Sequence, residues 1–154
     1  MAHHEDASML NLEKKNTLTV VNTNARSLCP KTESLIDCFG ELSVDIAIIT
    51  ETWLKVGPEL DQFSSDFELG AGLSSLHLCR DPNPVTGVAH GGVSIINKKC
   101  AGKFREYAHP NPENFEILAA VGNFHGTARK VIIIAVYIPP QLYGSQGERL
   151  SGVS

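Results

Sequence analysis

Hydrophobic and polar positions along the chain fall into short, β-type runs. Residues 46–49 are apolar and rich in β-branched side chains, the pattern of a strand buried on both faces, and the run leads straight into Thr50 and Glu51. Residues 17–24 are β-rich and partly alternating, which predicts a first strand ending on Asn24. Between them Thr32 is expected to cap a helix reaching about Leu42, with Leu35, Ile36, Phe39 and Leu42 on one face and Gly40 weakening the last turn. Strand, helix, strand over so short a span predicts a right-handed crossover and two parallel strands. Asn24 and Glu51 then both stand at carboxyl ends of strands and share one rim, although 27 positions separate them.

Residues 55–75 read as loop, punctuated by Gly57, Pro58, Gly70 and Gly72, with a short extended piece at 67–69. Two strands follow at 76–80 and 92–97, joined by a Pro/Gly-rich loop over 81–91. Lys98, Lys99, Lys103 and Arg105 gather basic charge around a glycine turn. Residues 115–121 and 131–137 form the clearest hairpin, its connection carrying Gly122, Asn123 and Gly126. The run 131–136 is apolar throughout and is expected to be a central strand, stopped by Pro139 and Pro140. Tyr137 is thus a third polar-tipped residue at a strand end. No internal repeat or low-complexity tract is visible, and the pattern fades into Gly and Ser after Tyr143.

Composition adds little to this outline except in its distribution. The chain has 154 residues, 42% hydrophobic and 19% charged, which suits one globular domain with an adequate core. A net charge of −4 gives no general reason to expect nucleic acid as a partner. Residues 1–68, however, hold five Lys/Arg against twelve Asp/Glu, and residues 69–154 hold eight against five. Such a split reads either as an acidic metal region beside a basic face or as ordinary solvated surface. The four cysteines (Cys29, Cys38, Cys79, Cys100) lack Cys-x-x-Cys or zinc-ligand spacing. Residues 1–16 look like a loose leader, with no apolar core of a secretory signal, and no stretch approaches a membrane span. Reduced thiols in an intracellular setting, nuclear or cytoplasmic, are therefore expected. A lone Glu at a strand end can hold a ligand or simply open a loop.

Four short motifs tip that choice. Asn-Ala-Arg-Ser-Leu (24–28), Glu-Thr-Trp-Leu (51–54), Gly-Gly-Val-Ser-Ile (91–95) and Tyr-Ile-Pro-Pro (137–140) occur in this order, each on a strand or at its end. Together they resemble the endonuclease/exonuclease/phosphatase superfamily, and more narrowly the apurinic-like endonuclease domain of non-LTR retrotransposon reverse-transcriptase polyproteins. The resemblance runs from about residue 17 to residue 140. Phosphoinositide phosphatases and sphingomyelinases share the Asn and Glu positions, while the wording of the first two motifs favours the retrotransposon branch.

The resemblance implies an α/β fold, a two-sheet α/β sandwich with a metal-dependent phosphodiesterase site at one rim and DNA as partner. Carried over residue by residue, Glu51 binds Mg²⁺ (or Mn²⁺), a hard cation suited to carboxylate oxygens. Asn24 orients the phosphate or joins the metal's ligands, and Tyr137 lends its phenol to a phosphate oxygen. Arg26, Lys98, Lys99, Lys103 and Arg105 are candidate nucleic-acid contacts, whose binding would be salt-dependent. The family pattern also needs an Asp-x-Asn pair after the tyrosine motif and a Ser-Asp-His motif near the domain's end, whose His activates the attacking water. Neither occurs here: no Asp lies beyond Asp81 and none of the six histidines follows Ser-Asp. His90 reads as a loop variation. The expectation is a C-terminally incomplete domain over 17–143, with a leader at 1–16 and a flexible tail at 144–154. It would be an inactive endonuclease excerpt, or a non-catalytic remnant that binds DNA or another partner; another superfamily phosphodiesterase or phosphatase is a further option. No membrane association is expected. An unpaired strand edge would favour self-association.

Overall fold

The computed structural model describes residues 17–140. The leader and tail assigned to residues 1–16 and 144–154 lie outside them. Seven strands form two sheets. The first holds β1 (Val20–Asn24), β2 (Ile46–Thr50), β3 (Leu73–Leu78) and β4 (Val93–Lys98) in the order β1-β2-β4-β3, and the second holds β5 (Gly102–Glu106), β6 (Glu116–Phe124) and β7 (Lys130–Tyr137) in sequence order. Helices α1 (Thr32–Glu41) and α2 (Pro58–Ser65) follow β1 and β2. β1 and β2 are parallel, as the crossover rule requires, with Asn24 directly beside Thr50. β4 runs antiparallel to both β2 and β3.

β2 shows why an unbroken apolar run was needed at the centre. Ala47 and Ile49 join Phe39, Phe63, Phe67 and Ile96 in a core on the helical side of the sheet. Ile46 and Ile48 face the second sheet, where they meet Ile95, Leu118, Ala120 and Ala135. β4 divides in the same way, Ile96 to one core and Val93 and Ile95 to the other. A strand buried on both faces has no polar side to show, so period 2 is absent from its sequence.

Several elements depart from the sequence reading. Thr32 is not the cap of α1. A 3₁₀ turn at Cys29–Lys31 runs directly into the helix, so Thr32 is already helical and its hydroxyl donates to the Cys29 carbonyl at 2.8 Å. Leu42 lies past the helix end and is 63% exposed, so it does not extend the buried face. Residues 55–75 are not loop: Gly57 and Pro58 start α2, and a π-type turn, Asp66–Gly70, replaces the extended piece expected at 67–69. Proline suits the first helical turn, where its missing N–H is not needed, so these residues bracket a helix and do not break one. The turn buries Phe67 completely, against Phe63 at 4.5 Å between ring centroids. β3 begins earlier than residue 76, because Ser74 and Ser75 pair with Asn97 and Ile96.

β7 is the most informative difference. It pairs with β6 and ends the second sheet, so among the described residues it is an edge strand and not a central one. Ile133, Ala135 and Tyr137 point into the inter-sheet core, whereas Ile132, Ile134 and Val136 are 57%, 59% and 47% exposed. A continuous apolar run hides this alternation, since both faces carry the same residue type. No helix of the described residues is long and apolar enough to cross a membrane, and the four cysteines are free thiols.

Candidate functional site

The amino ends of β4 and β6 and the carboxyl ends of β1, β2 and β7 meet at one rim of the sandwich, as the pairing of Asn24 with Thr50, Thr50 with Val93 and Glu116 with Tyr137 shows. The backbone there is unusual. Arg26, Ser27, Glu51 and Trp53 all take positive φ, at 46°, 80°, 51° and 55°. Non-glycine residues hold such conformations only where neighbours over-determine them, and this rim does so from both sides. Ser27 and Leu28 N–H groups donate to the carbonyls of Glu51 and Thr52, each at 2.9 Å. From the opposite side, Thr52 and Trp53 N–H groups donate to the carbonyls of Gly92 (3.3 Å) and Gly91 (2.9 Å). The Glu51–Trp53 segment is therefore clamped between the β1 exit and a glycine pair.

That clamp aims Glu51 across the gap between the sheets. The Tyr137 phenol donates to Glu51 Oε1 at 2.6 Å, joining residues 86 positions apart. Asn24, at the end of β1, accepts the Arg26 N–H on its Oδ1 at 3.2 Å. The Tyr137 hydrogen bond holds the Glu51 carboxyl below the usual carboxylate range against the opposing effect of burial, helped by the Asn24 amide, Arg26 and His90. Burial and the same hydrogen bond push the Tyr137 phenol up to about 12, so it remains a donor at neutral pH. A carboxyl lowered in this way adds stability above its unfolded pKa, and that stability is lost as the pH falls through the folded value. Trp53 stacks edge-on against His90, with centroids 4.5 Å apart.

Beside this pair opens a cleft of about 340 Å³, lined by Asn22, Thr23, Asn24, Thr50, Val136, Tyr137 and Ile138. One wall is thus a row of hydrogen-bonding side chains from β1 and β2, the other the end of β7. Among the described residues no group of three His, Cys, Asp or Glu could hold a metal. Apart from Glu116, which is tied to Arg80 and Gly92, the rim offers one carboxylate, Glu51, hydrogen-bonded by Tyr137 and the Asn24 amide. An all-oxygen, single-carboxylate set fits Mg²⁺ or Mn²⁺, which keep most of their waters and lean on substrate phosphates, and does not fit zinc.

The structure brings Asn24, Arg26, Glu51 and Tyr137 to this rim. It does not bring the basic cluster there. Lys98 ends β4 opposite Leu73, and Lys103 pairs with Asn123, both toward the far ends of strands whose near ends form the rim. Lys99 instead donates its ammonium to the Glu68 carbonyl at 2.9 Å, and Arg105 lies exposed on the edge strand β5 opposite Val121. These four basic residues are separated from the site because a hairpin turn at one end of a strand cannot reach the other end.

Two rim residues, Glu116 and Arg80, escaped the sequence reading. Glu116, the first residue of β6, is 5% exposed; its Oε2 accepts the Gly92 N–H at 2.8 Å and its Oε1 makes an ion pair with Arg80 Nε. Burial raises the Glu116 carboxyl above its ordinary value, and Arg80 and the Gly92 N–H work against that rise. A signal existed: Glu116, Leu118 and Ala120 share one phase of the strand, so a core-facing phase opens on a charge.

Solved structures share the fold. An AP endonuclease from Archaeoglobus fulgidus superposes with a TM-score of 0.54 at 16% identity over 80% of this chain and 42% of its own. A 3′ phosphatase, NExo, from Neisseria, solved with a product DNA hairpin, gives 0.53 at 12% over 85% and 48%. An endonuclease/exonuclease/phosphatase family protein from Leptotrichia buccalis gives 0.50 at 11% over 90% and 63%. The fold is that of the endonuclease/exonuclease/phosphatase proteins. The chain spans about half the length of the first two and somewhat more of the third. No protein-family model and no curated protein matches the sequence. Within this fold, Glu51, Asn24 and Tyr137 stand together at strand ends on one rim.

Proposed function

We propose that this chain carries the amino-terminal part of a metal-dependent DNA endonuclease site of the retrotransposon type, one that hydrolyses a phosphodiester bond. The observation that carries the reading is the Tyr137–Glu51 hydrogen bond, which joins two motif residues from different sheets at one rim. In this reading Glu51 and Asn24 hold Mg²⁺ or Mn²⁺. The bound cation supplies Lewis-acid stabilisation of charge on the phosphoryl oxygens. Tyr137, protonated at working pH, has one O–H, which turns from Glu51 to a phosphate oxygen when substrate enters, and Arg26 at the exposed β1 exit meets a neighbouring phosphate. The cleft beside Tyr137 receives the sugar-phosphate backbone. Lys98, Lys99, Lys103 and Arg105 take no part in this site.

Water activation is the step these residues do not supply. The chain has no Asp beyond Asp81 and no Ser-Asp-His, and a positioned general base is worth about 10²–10⁴ in rate. The chain as it stands is therefore proposed to bind metal and DNA but to hydrolyse little. The reading is tested with purified protein, supercoiled plasmid and Mn²⁺. Mn²⁺ binding followed by electron paramagnetic resonance is expected to weaken about tenfold in Glu51→Ala, with plasmid nicking near background in both proteins. Equal Mn²⁺ binding by wild type and Glu51→Ala would remove the metal site. Brisk nicking that survives Glu51→Ala would place hydrolysis elsewhere.

A non-catalytic binding role is the second reading, favoured by the exposed Ile132, Ile134 and Val136 on the open strand β7. An apolar edge strand is a template for pairing, and self-association through it is part of this proposal. Ile134→Lys is expected to shift the protein toward monomer in sedimentation velocity at matched concentrations without loss of secondary structure. An unchanged distribution would exonerate the edge.

A further inference from the structure

The rim geometry depends on a residue that the four motifs omit. Gly92 accepts the Thr52 N–H and Gly91 accepts the Trp53 N–H, so the glycine pair sets where the segment after Glu51 lies. The pair is itself held from the second sheet: the buried Glu116 carboxylate takes the Gly92 N–H on Oε2 and Arg80 on Oε1. The contact is close enough that a Cβ on Gly91 would stand 2.6 Å from Glu116 Oε1. In the β6–β7 register Glu116 lies directly opposite Tyr137, the donor to Glu51. One side chain thus touches the clamp on Glu51 and neighbours its hydrogen-bond partner, linking β4 to β6 where the two sheets must agree for the pair to form.

We infer that Glu116 is a positioning residue of the rim: through the Gly92 N–H it fixes the Gly91–Gly92 pair, and through that pair the strained segment that presents Glu51 to Tyr137. The strut stands on this geometry, and only its use in holding a metal rests on the proposed function. What matters in this role is an acceptor oxygen at the reach of Glu, not negative charge. Glu116→Gln keeps that oxygen on Gly92, while Arg80, 42% exposed, turns to solvent. Glu116→Asp keeps the charge but withdraws it by one methylene and leaves the Gly92 N–H unpaired. A residue present only to neutralise Arg80 would rank the two variants the other way.

Amide hydrogen exchange by NMR decides between them. In Glu116→Asp the Gly92, Thr52 and Trp53 amides are expected to exchange about tenfold faster, the loss of one buried hydrogen bond. Ile48 and Ile95 in mid-strand should stay at wild-type rates. In Glu116→Gln the rim amides should stay within about threefold of wild type. The emission of Trp53, the chain's single tryptophan, should shift to the red in Glu116→Asp and hold in Glu116→Gln. Rim amides unchanged in Glu116→Asp, faster exchange in Glu116→Gln than in Glu116→Asp, or acceleration spread over all strands would each overturn the inference. Mn²⁺ affinity should follow the same order. Absence of Mn²⁺ binding in the wild type would sink the metal reading, and the exchange contrast would still decide the strut.

Discussion

Gly92→Ala is expected to lower the free energy of unfolding by about 3 kcal/mol. Two costs combine at this position. Gly92 has φ of +89°, a region that L side chains rarely enter. A Cβ there would also lie 2.5 Å from Thr52 Oγ1 and 3.2 Å from the Leu78 carbonyl. Thr52 is 1% exposed and its N–H is bonded to Gly92, so it cannot retreat without breaking the clamp on Glu51. Gly87→Ala supplies the comparison: its φ is +67°, but nothing lies within 4 Å of the added carbon, so it should cost about 1 kcal/mol from backbone strain. Urea unfolding of the two variants measures the difference. Equal losses would mean that the rim is looser than its hydrogen bonds imply.

Acid should destabilise the protein through His77 by about 2–3 kcal/mol between pH 6.5 and pH 4. His77, on β3, bonds Ser94 Oγ at 2.7 Å through Nδ1 and Ser75 Oγ at 2.9 Å through Nε2, and stands edge-on to Phe63. Burial lowers its pKa from 6.5 to about 4. The unfolded chain therefore takes up a proton below pH 6.5 that the folded chain refuses until about pH 4, so stability falls as the pH falls through this window. Glu51, with its lowered carboxyl, also loses stability toward acid, and Glu116, with its raised one, works in the opposite sense. The wild-type curve has to be read against that of His77→Gln, which keeps a side-chain partner for Ser94. Subtracting the two unfolding curves should leave a drop confined to this window, and parallel curves would refute it.

The same rim thus explains both an expected fragility and a candidate chemistry. In the proposed site Glu51 is presented by a strained backbone that its neighbours hold in place. The glycine pair that allows this leaves no room for an added carbon. His77 turns to the helical side of the sheet against Phe63, although its strand neighbour Leu78 pairs with Val93 at the rim.

Much of this was legible in the chain itself. Ile46–Thr50 announces a doubly buried strand because neither face of it can be polar, and the short distance from β1 through α1 dictates parallel pairing. From these two facts the common rim of Asn24 and Glu51 follows. Local pattern was silent or misleading where the outcome depends on distant neighbours. Gly57 and Pro58 look alike as helix-starters and loop formers, and the packing of Phe63 and Phe67 under the first sheet decides for a helix. The run at 131–136 could be central or edge, since a strand's neighbours are not encoded in its own residues, and among the described residues tertiary pairing leaves it at an edge. Glu116 reads as one charge in an apolar strand. Only the approach of β6 to the start of β4 shows that it reaches Gly92 and Arg80. The sequence by itself determined which side chains end the strands, because periodicity and chain direction are local properties. The tertiary structure decided that Tyr137 meets Glu51, that Glu116 braces the glycines between them, and that the lysine cluster sits elsewhere, because those depend on how two sheets stack and in what register.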